Sequence, residues 1–216
     1  MKLLDEILEL LYPTRCAFCH KLSPRREKVC RSCLGRLPYT SGAAQKQRFP
    51  FIDECVSPLY YEEDVRSSLL RYKFHGLTAY AQIYGEFLSK CIDENQISCD
   101  IITWIPLSRR RLRQRGYDQA RLLAEEVAEK LGLACVPLLR KCRDNPAQSG
   151  TGGAEKRRAN VSGVYAPVNE AVFRGKSVLL VDDIVTTGAT LSEGARVLLT
   201  AGAARVYAAA VARSRQ

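Results

Sequence analysis

The chain has 216 residues, of which 46% are hydrophobic and 26% are charged, and its formal net charge is +10. This is a normal globular composition, and no apolar run is long enough to cross a bilayer. The N-terminal segment is too short and too acidic for a signal peptide, so the sequence predicts a cytoplasmic protein without a membrane span. A chain of this length holds one α/β domain and a small additional module.

The positive charge is concentrated in two parts of the sequence. Residues 1–50 contain ten Lys and Arg against four Asp and Glu, and residues 104–160 contain thirteen against six. Clusters of this kind are typical of proteins that bind polyphosphates, nucleic acids or both.

Apolar residues between Leu3 and Leu11 follow helical spacing, which predicts a short helix that ends before Pro13.

Two cysteine pairs near the N-terminus predict a metal site. Each Cys-x-x-Cys pair forms a turn that we call a knuckle, and four thiolates from two knuckles complete a tetrahedral structural zinc site. The polar segment between the two pairs has no apolar core, so metal binding has to supply its folding energy. Free or redox-active thiols are the alternative, and His20 is interpreted as a bystander. The predicted zinc ribbon spans residues 1–40, and its ligands are Cys16, Cys19, Cys30 and Cys33.

Residues 41–52 are polar and basic, which predicts a linker, and residues 53–216 form the predicted second domain. Its first elements are a strand over 56–61, a helix over 63–74 and a second helix over 79–92. Lys73, at the end of the first helix, is a candidate for contacting phosphate. His75 is interpreted as a solvated loop residue, with a catalytic base as the less favoured alternative.

A buried strand is predicted over Ile101–Ile105 and is followed by a run of arginines. Forked guanidinium donors suit a diphosphate or a nucleic-acid backbone, and a solvated basic loop is the alternative. Asp118 is the predicted N-cap of the next helix. The candidate phosphate-binding residues here are Ser108, Arg109, Arg110, Arg111, Arg113 and Arg115.

After a predicted strand over 135–139, residues 140–160 are polar and rich in glycine. Long loops of this kind are functional lids or disordered segments. Gln148 and Arg158 are candidate contacts of this segment with phosphate. The last predicted strand covers 205–211.

The most informative stretch is residues 178–190. The apolar run Val178–Val181 predicts a strand buried on both faces, and it leads directly into Asp182 and Asp183. A loop rich in threonine follows, with a helix from Leu191. Unpaired amides at a helix N-terminus favour phosphate, and carboxylates accept hydrogen bonds from sugar hydroxyls. An ordinary strand–turn–helix with a threonine cap is the alternative.

Residues 178–190 resemble the signature of type I phosphoribosyltransferases that binds 5-phosphoribosyl 1-diphosphate (PRPP). The resemblance implies an α/β fold with a central parallel sheet flanked by helices. It also implies that Asp182 and Asp183 bind the ribose hydroxyls and act in catalysis, while the loop binds the 5-phosphate. The implied PRPP-binding residues are Asp182, Asp183, Ile184, Val185, Thr186, Thr187, Gly188, Ala189 and Thr190.

Residues 105–120 resemble the ComF branch of this superfamily, which carries an N-terminal four-cysteine module and is associated with natural competence. Trp104 and Asp118 depart from the proline and asparagine that are usual in the family. The resemblance implies binding of PRPP with Mg²⁺, a role in DNA uptake and contact with single-stranded DNA. Competence proteins and a second copy of the chain are further partners that it allows.

The alternative function is an active enzyme. Such an enzyme transfers phosphoribose from PRPP to an acceptor and releases pyrophosphate, and Asp183 stabilises the cationic C1 of the ribose. The residues that select an acceptor are not identified by the sequence.

Overall fold

The computed structural model describes residues 13–23, 27–143 and 163–215. The predicted N-terminal helix lies outside these residues. The same holds for Gln148, Arg158 and most of the predicted lid.

The protein is built on a mixed β-sheet with the strand order β1-β2-β8-β7-β4, and β3 also pairs with β8. The pairs β2–β8, β3–β8, β7–β8 and β4–β7 are parallel, and β1 is antiparallel to β2 at the edge. Strands β5 and β6 form a separate antiparallel pair. The strands are β1 (Lys46–Phe49), β2 (Ile52–Val56), β3 (Leu59–Tyr60), β4 (Ile101–Trp104), β5 (Leu139–Lys141), β6 (Tyr165–Pro167), β7 (Ser177–Val185) and β8 (Arg205–Arg213).

Helices cover both faces of the sheet. Helices α2, α3 and α5 pack on one face, and α7 packs on the other. β7 runs between them, because Leu179 and Val181 face the first core while Val178 and Leu180 face the second. The helices are α1 (Arg31–Leu34), α2 (Glu63–Phe74), α3 (Tyr80–Glu94), α4 (Arg109–Arg115), α5 (Gln119–Leu131), α6 (Glu170–Phe173) and α7 (Ala189–Thr200).

Several predicted elements are confirmed within one or two residues. The helix predicted over 63–74 is α2, and the strands predicted over 101–105 and 205–211 are β4 and β8. The strand predicted over 56–61 is divided, because Ser57 and Pro58 separate β2 from β3.

The strand predicted over 135–139 is wrong. Cys135 forms only an isolated bridge with Ile102, and β5 begins at Leu139. Pro137 has no amide to donate, and the amide of Leu138 donates to the side chain of Thr103 at 3.2 Å. The backbone therefore leaves the sheet at this point.

The segment predicted as a linker over 41–52 contains regular structure. A 3-10 turn over Gly42–Gln45 leads into β1, which pairs with β2 and forms the edge of the main sheet. The limits of the predicted domains stay a prediction, but these residues contribute to the central sheet.

The first cysteine knuckle is packed against the helices. Phe18 is fully buried, with its ring 6.1 Å from that of Tyr84 and 6.0 Å from that of Phe87. On α2, Ser68 Oγ and Arg71 both donate hydrogen bonds to the carbonyl of Ala17, at 2.5 and 3.1 Å. The knuckle and α2 are therefore joined by apolar packing and by hydrogen bonds.

Among the described residues, no helix is long and apolar enough to cross a membrane.

Candidate functional site

The predicted ligand residues lie where β7 ends. Because β4 and β7 are parallel neighbours, their carboxyl ends meet at one edge of the sheet. This edge is where open α/β sheets bind ligands. The turn after β4, the loop after β7 and the end of α2 all reach it.

Asp183 is buried, with 4% of its surface exposed. One carboxylate oxygen lies 2.9 Å from Nζ of Lys73, at the C-terminal end of α2. The other oxygen has no hydrogen-bond partner among the described residues. A buried carboxylate oxygen without a donor costs free energy, so it is poised to accept a hydrogen bond from a ligand.

Asp182 directly precedes Asp183 and is half-buried. Its Oδ1 accepts a hydrogen bond of 2.8 Å from the amide of Asp183. Burial raises the pKa of the Asp182 carboxyl well above its usual range, and the charge of Asp183 adds to this effect. Lys73 offsets part of the shift, so one cation is shared between two carboxylates.

The loop after β7 offers backbone donors. Among the described residues, no acceptor pairs with the amides of Thr186, Thr187 and Gly188. α7 begins at the next residue, so its N-terminal amides and the positive end of its dipole also lie at this loop. The arrangement can hold an anion such as a phosphate.

Gly188 is required here for two reasons. Its φ of 69° is in the left-handed region, and a Cβ at this position would lie 2.2 Å from Cδ1 of Phe49. The edge strand β1 therefore packs directly against the loop. Sequence reasoning missed this role of Phe49, because no local pattern reveals a contact between residues so far apart in the chain.

The arginine run forms helix α4, so the alternative of a solvated basic loop does not describe this segment. Ser108 caps its N-terminus by accepting from the amide of Arg111 at 3.3 Å, and Gly116 ends it with a φ of 79°. Arg, Leu and Gln are good helix formers, so the capped segment folds as a helix without an apolar stripe.

Helical spacing separates the five arginines. Arg111 and Arg115 are one turn apart and half-buried, and they line a cavity of about 470 Å³ together with Lys73. Arg109, Arg110 and Arg113 are exposed, and Arg109 also lines a second cavity of about 480 Å³. The second cavity is also lined by Ser108, Arg140 and Arg143, and neither cavity has an Asp or Glu in its lining.

Asp118 connects the turn after β4 to α5. One carboxylate oxygen accepts from the amide of Leu107 at 2.9 Å, and the other accepts from the amide of Arg121 at 3.3 Å. The predicted N-cap is therefore confirmed. Burial raises the pKa of Asp118, while these amides and that of Ala120 act in the opposite direction.

The four predicted metal ligands lie together. The Sγ atoms of Cys16, Cys19, Cys30 and Cys33 are all within 4.8 Å of one another, and the Cys19–Cys30 distance is 3.8 Å. A tetrahedral zinc ion with Zn–S bonds of about 2.3 Å places its sulfur atoms about 3.8 Å apart, so the residues fit structural zinc.

The pKa values of the cluster thiols are shifted in both directions: burial raises the pKa of Cys19, and it raises the pKa of Cys33 to about 12. Burial raises the pKa of Cys16, but amide donors from Cys30, Cys19 and Phe18 outweigh it and lower the pKa to about 7. His20 is not part of the cluster, and its Nδ1 lies 3.5 Å from the hydroxyl of Tyr80. The interpretation of His20 as a bystander agrees with this geometry.

We expect the purified protein to contain one zinc ion per chain, measured by elemental analysis. The substitution Cys33→Ser should abolish stoichiometric zinc binding and lower the unfolding midpoint in urea. Without the metal the first knuckle is no longer held closed and the Phe18 ring becomes exposed; removing a buried phenylalanine side chain from a core costs about 3–5 kcal/mol. The exposed thiol of Cys142 provides the matched control, Cys142→Ser. Equal zinc content in the two variants would contradict the assignment.

We expect Asp182→Asn to stabilise the ligand-free protein by on the order of 1 kcal/mol at neutral pH. The folded state binds the Asp182 proton more tightly than the unfolded chain, so this carboxyl destabilises the protein increasingly as pH rises above about 4. Asparagine can still accept the hydrogen bond from the amide of Asp183. Urea unfolding of both proteins at pH 4, 6 and 8 should show a gap that widens with pH, and a constant gap would contradict the assigned shift.

Comparison with known protein families identifies two regions. Residues 118–216 match the phosphoribosyl transferase domain family, and residues 7–46 match the double zinc ribbon domain family. The mixed sheet with parallel central strands and helices on both faces agrees with the first match, and the four-cysteine cluster agrees with the second.

Curated relatives extend this similarity along the chain. Competence protein ComFC of Streptococcus pneumoniae is 30% identical over 145 residues, which cover 66% of this chain and 60% of the relative. ComFC of Bacillus subtilis is 31% identical over 148 residues, covering 67% of this chain and 57% of the relative. The matched region therefore spans less than two thirds of these two relatives.

Competence protein F of Haemophilus influenzae is 26% identical over 209 residues, which cover 92% of this chain and 90% of the relative. This similarity therefore extends over most of the chain. The chain therefore combines a region that matches the phosphoribosyl transferase domain family with one that matches the double zinc ribbon family, and it is similar to the competence proteins ComFC and F.

Proposed function

We propose that this protein binds PRPP with Mg²⁺ at the carboxyl end of β7 and contacts single-stranded DNA during natural competence. The observation that carries the first part is a buried carboxylate oxygen without a donor, close to three consecutive amides without an acceptor among the described residues. A ribose phosphate supplies both missing partners, because its hydroxyls donate and its phosphate accepts.

Each part of PRPP has a proposed set of partners. Asp182 and Asp183 accept hydrogen bonds from the ribose hydroxyls, and the amides after β7 hold the 5-phosphate at the N-terminus of α7. Lys73, paired with Asp183, faces the diphosphate. Mg²⁺ would screen the charge of the diphosphate, since it prefers oxygen ligands and retains water molecules.

Lys73 has a double role in this proposal. In the ligand-free protein it neutralises part of the charge of the two aspartates. When a diphosphate is present, the same ammonium lies between the carboxylates and the phosphates and reduces their mutual repulsion. The ion pair thus prepares the site for an anionic ligand beside two acidic groups.

Contact with single-stranded DNA is supported by the outer side of α4. Arg109, Arg110 and Arg113 are exposed, and Arg109 shares a cavity with Arg140 and Arg143. Such a surface neutralises the phosphates of a strand and releases counterions. Relatives named competence proteins, and a 34% identical relative from Escherichia coli named DNA utilization protein YhgH, agree with a role in DNA handling.

Transfer of phosphoribose is the second candidate function. The observation that favours it is the cavity of about 470 Å³ beside Lys73, which leaves room for a group next to the ribose carboxylates. In such a reaction the bond between C1 and the diphosphate breaks, and Asp183 stabilises the positive charge at C1. Pyrophosphate release that requires both an acceptor and the two aspartates distinguishes this function from binding alone.

The proposed PRPP site is tested by calorimetric titration with PRPP in the presence of Mg²⁺. We expect the double variant Asp182→Asn, Asp183→Asn to lose at least about tenfold in affinity, because each charge-assisted hydrogen bond contributes about 1.5–3 kcal/mol. Asp93→Asn, which changes an exposed carboxylate on α3, is the control and should bind like the wild type. Equal affinity of the double variant and the control would rule out the proposed site.

A further inference from the structure

The cavity between the end of α2 and α4 has features that the binding of PRPP does not use. Its lining consists of Lys73, Phe74, Gly76, Arg111, Gln114, Arg115 and Tyr117, and we call it the aromatic cavity. Its volume of about 470 Å³ falls in the range of about 300–1,000 Å³ that small-ligand sites occupy.

Phe74 provides an accessible aromatic surface. It is 62% exposed, the largest value among the exposed large hydrophobic residues that the structure describes. The guanidinium carbon of Arg115 lies 4.8 Å from the centre of its ring. An exposed ring next to arginine is the arrangement on which proteins stack nucleobases, and such stacking contributes about 1–3 kcal/mol per base.

The charge of the aromatic cavity favours an anion. Three cations line it and no carboxylate does, although Lys73 is paired with Asp183 behind it. Neither Arg111 nor Arg115 forms an ion pair with any residue that the structure describes. One N–H group of Arg115 donates to Oε1 of Gln119 at 2.8 Å, so its other N–H groups and the guanidinium of Arg111 are available to phosphate oxygens.

The walls of the cavity are held in place by buried contacts. The hydroxyl of Tyr117 donates to the carbonyl of Tyr72, immediately before Lys73 and Phe74. Tyr72 is fully buried, and its hydroxyl donates to the carbonyl of Gln119 at 2.8 Å. The end of α2 and the segment after α4 are thus fixed to each other before any ligand binds, which lowers the entropic cost of binding.

We propose that the aromatic cavity binds a nucleotide unit, with its base stacked on Phe74 and its phosphate held by Arg111 and Arg115. The inference rests on the proposed function for the neighbouring ligand, and it deepens that function by naming the chemical class of a second ligand beside the ribose carboxylates. The nucleotide unit comes either from a single strand or from a free mononucleotide.

Fluorescence of 2-aminopurine tests the proposal, because stacking quenches this base. The probes are 2-aminopurine riboside 5′-monophosphate and a short oligothymidylate that contains one 2-aminopurine, each titrated with the full-length protein in the absence of PRPP. We expect quenching of at least one probe by the wild type. Quenching of the oligonucleotide alone identifies a strand as the source, and quenching of the mononucleotide identifies a free nucleotide.

The variants assign the quenching to the cavity. Phe74→Ala should weaken binding of the quenched probe by at least about fivefold, the lower limit expected for one stacked base. Phe74→Tyr keeps a ring and should bind like the wild type. Phe51→Ala removes an aromatic ring that is 51% exposed on the turn between β1 and β2, and it should have no effect. No quenching by the wild type, or equal quenching by Phe74→Ala, would overturn the proposal.

Folding of Phe74→Ala is verified by its circular dichroism spectrum and by PRPP titration. We expect its PRPP affinity to equal that of the wild type, because Phe74 lies outside the residues proposed to hold PRPP. If the wild type fails to bind PRPP while quenching still depends on Phe74, the proposed PRPP site is wrong and the aromatic cavity stands. If PRPP binds and quenching is absent, only the cavity proposal fails.

Discussion

The ion pair between Lys73 and Asp183 is the interaction on which the candidate site depends. It joins the C-terminal end of α2 to the end of the central strand β7, at a distance of 2.9 Å. The same helix holds the first cysteine knuckle through Ser68 and Arg71. α2 therefore contacts both the first cysteine knuckle and the carboxylates at the end of β7.

The carboxylates themselves are a source of local instability. Two acidic side chains share one cation at the end of a strand that is otherwise apolar, and one of their oxygens has no donor within the described residues. A protein selected for stability alone would place neutral side chains here. Polar groups that conflict with their surroundings in this way are expected at functional sites, where a ligand supplies the missing partners.

Much of the site could be predicted from the sequence because its signals are local. The strand, the carboxylates, the threonine loop and the helix after it are consecutive, and the cysteine pairs have the spacing of a zinc site. The helical periodicity of α2 likewise placed Lys73 at its end. In each case the residues that form the feature are close together in the chain, so their pattern is visible without a structure.

The missed features depend on contacts between distant segments. Phe49 packs on Gly188 because an edge strand crosses near the loop after β7, and no pattern around either residue indicates it. The helical form of the arginine run was not predicted, because the run has no apolar stripe, and the division of its side chains between two cavities depends on how α4 packs. Phe74 directly follows the candidate residue Lys73 in the sequence, but only the packing of α4 against α2 reveals the cavity that Phe74 lines.

The most direct test of the central claim is calorimetric titration of PRPP with Mg²⁺ at pH 7.5 in two buffers with different ionisation enthalpies, for the wild type and Asp182→Asn. Hydroxyl donors from the ribose favour the charged carboxylate, so the raised pKa of Asp182 should fall when the ligand binds. We therefore expect the wild type to release more protons than the variant. Equal affinity and equal proton release in the two proteins would contradict it.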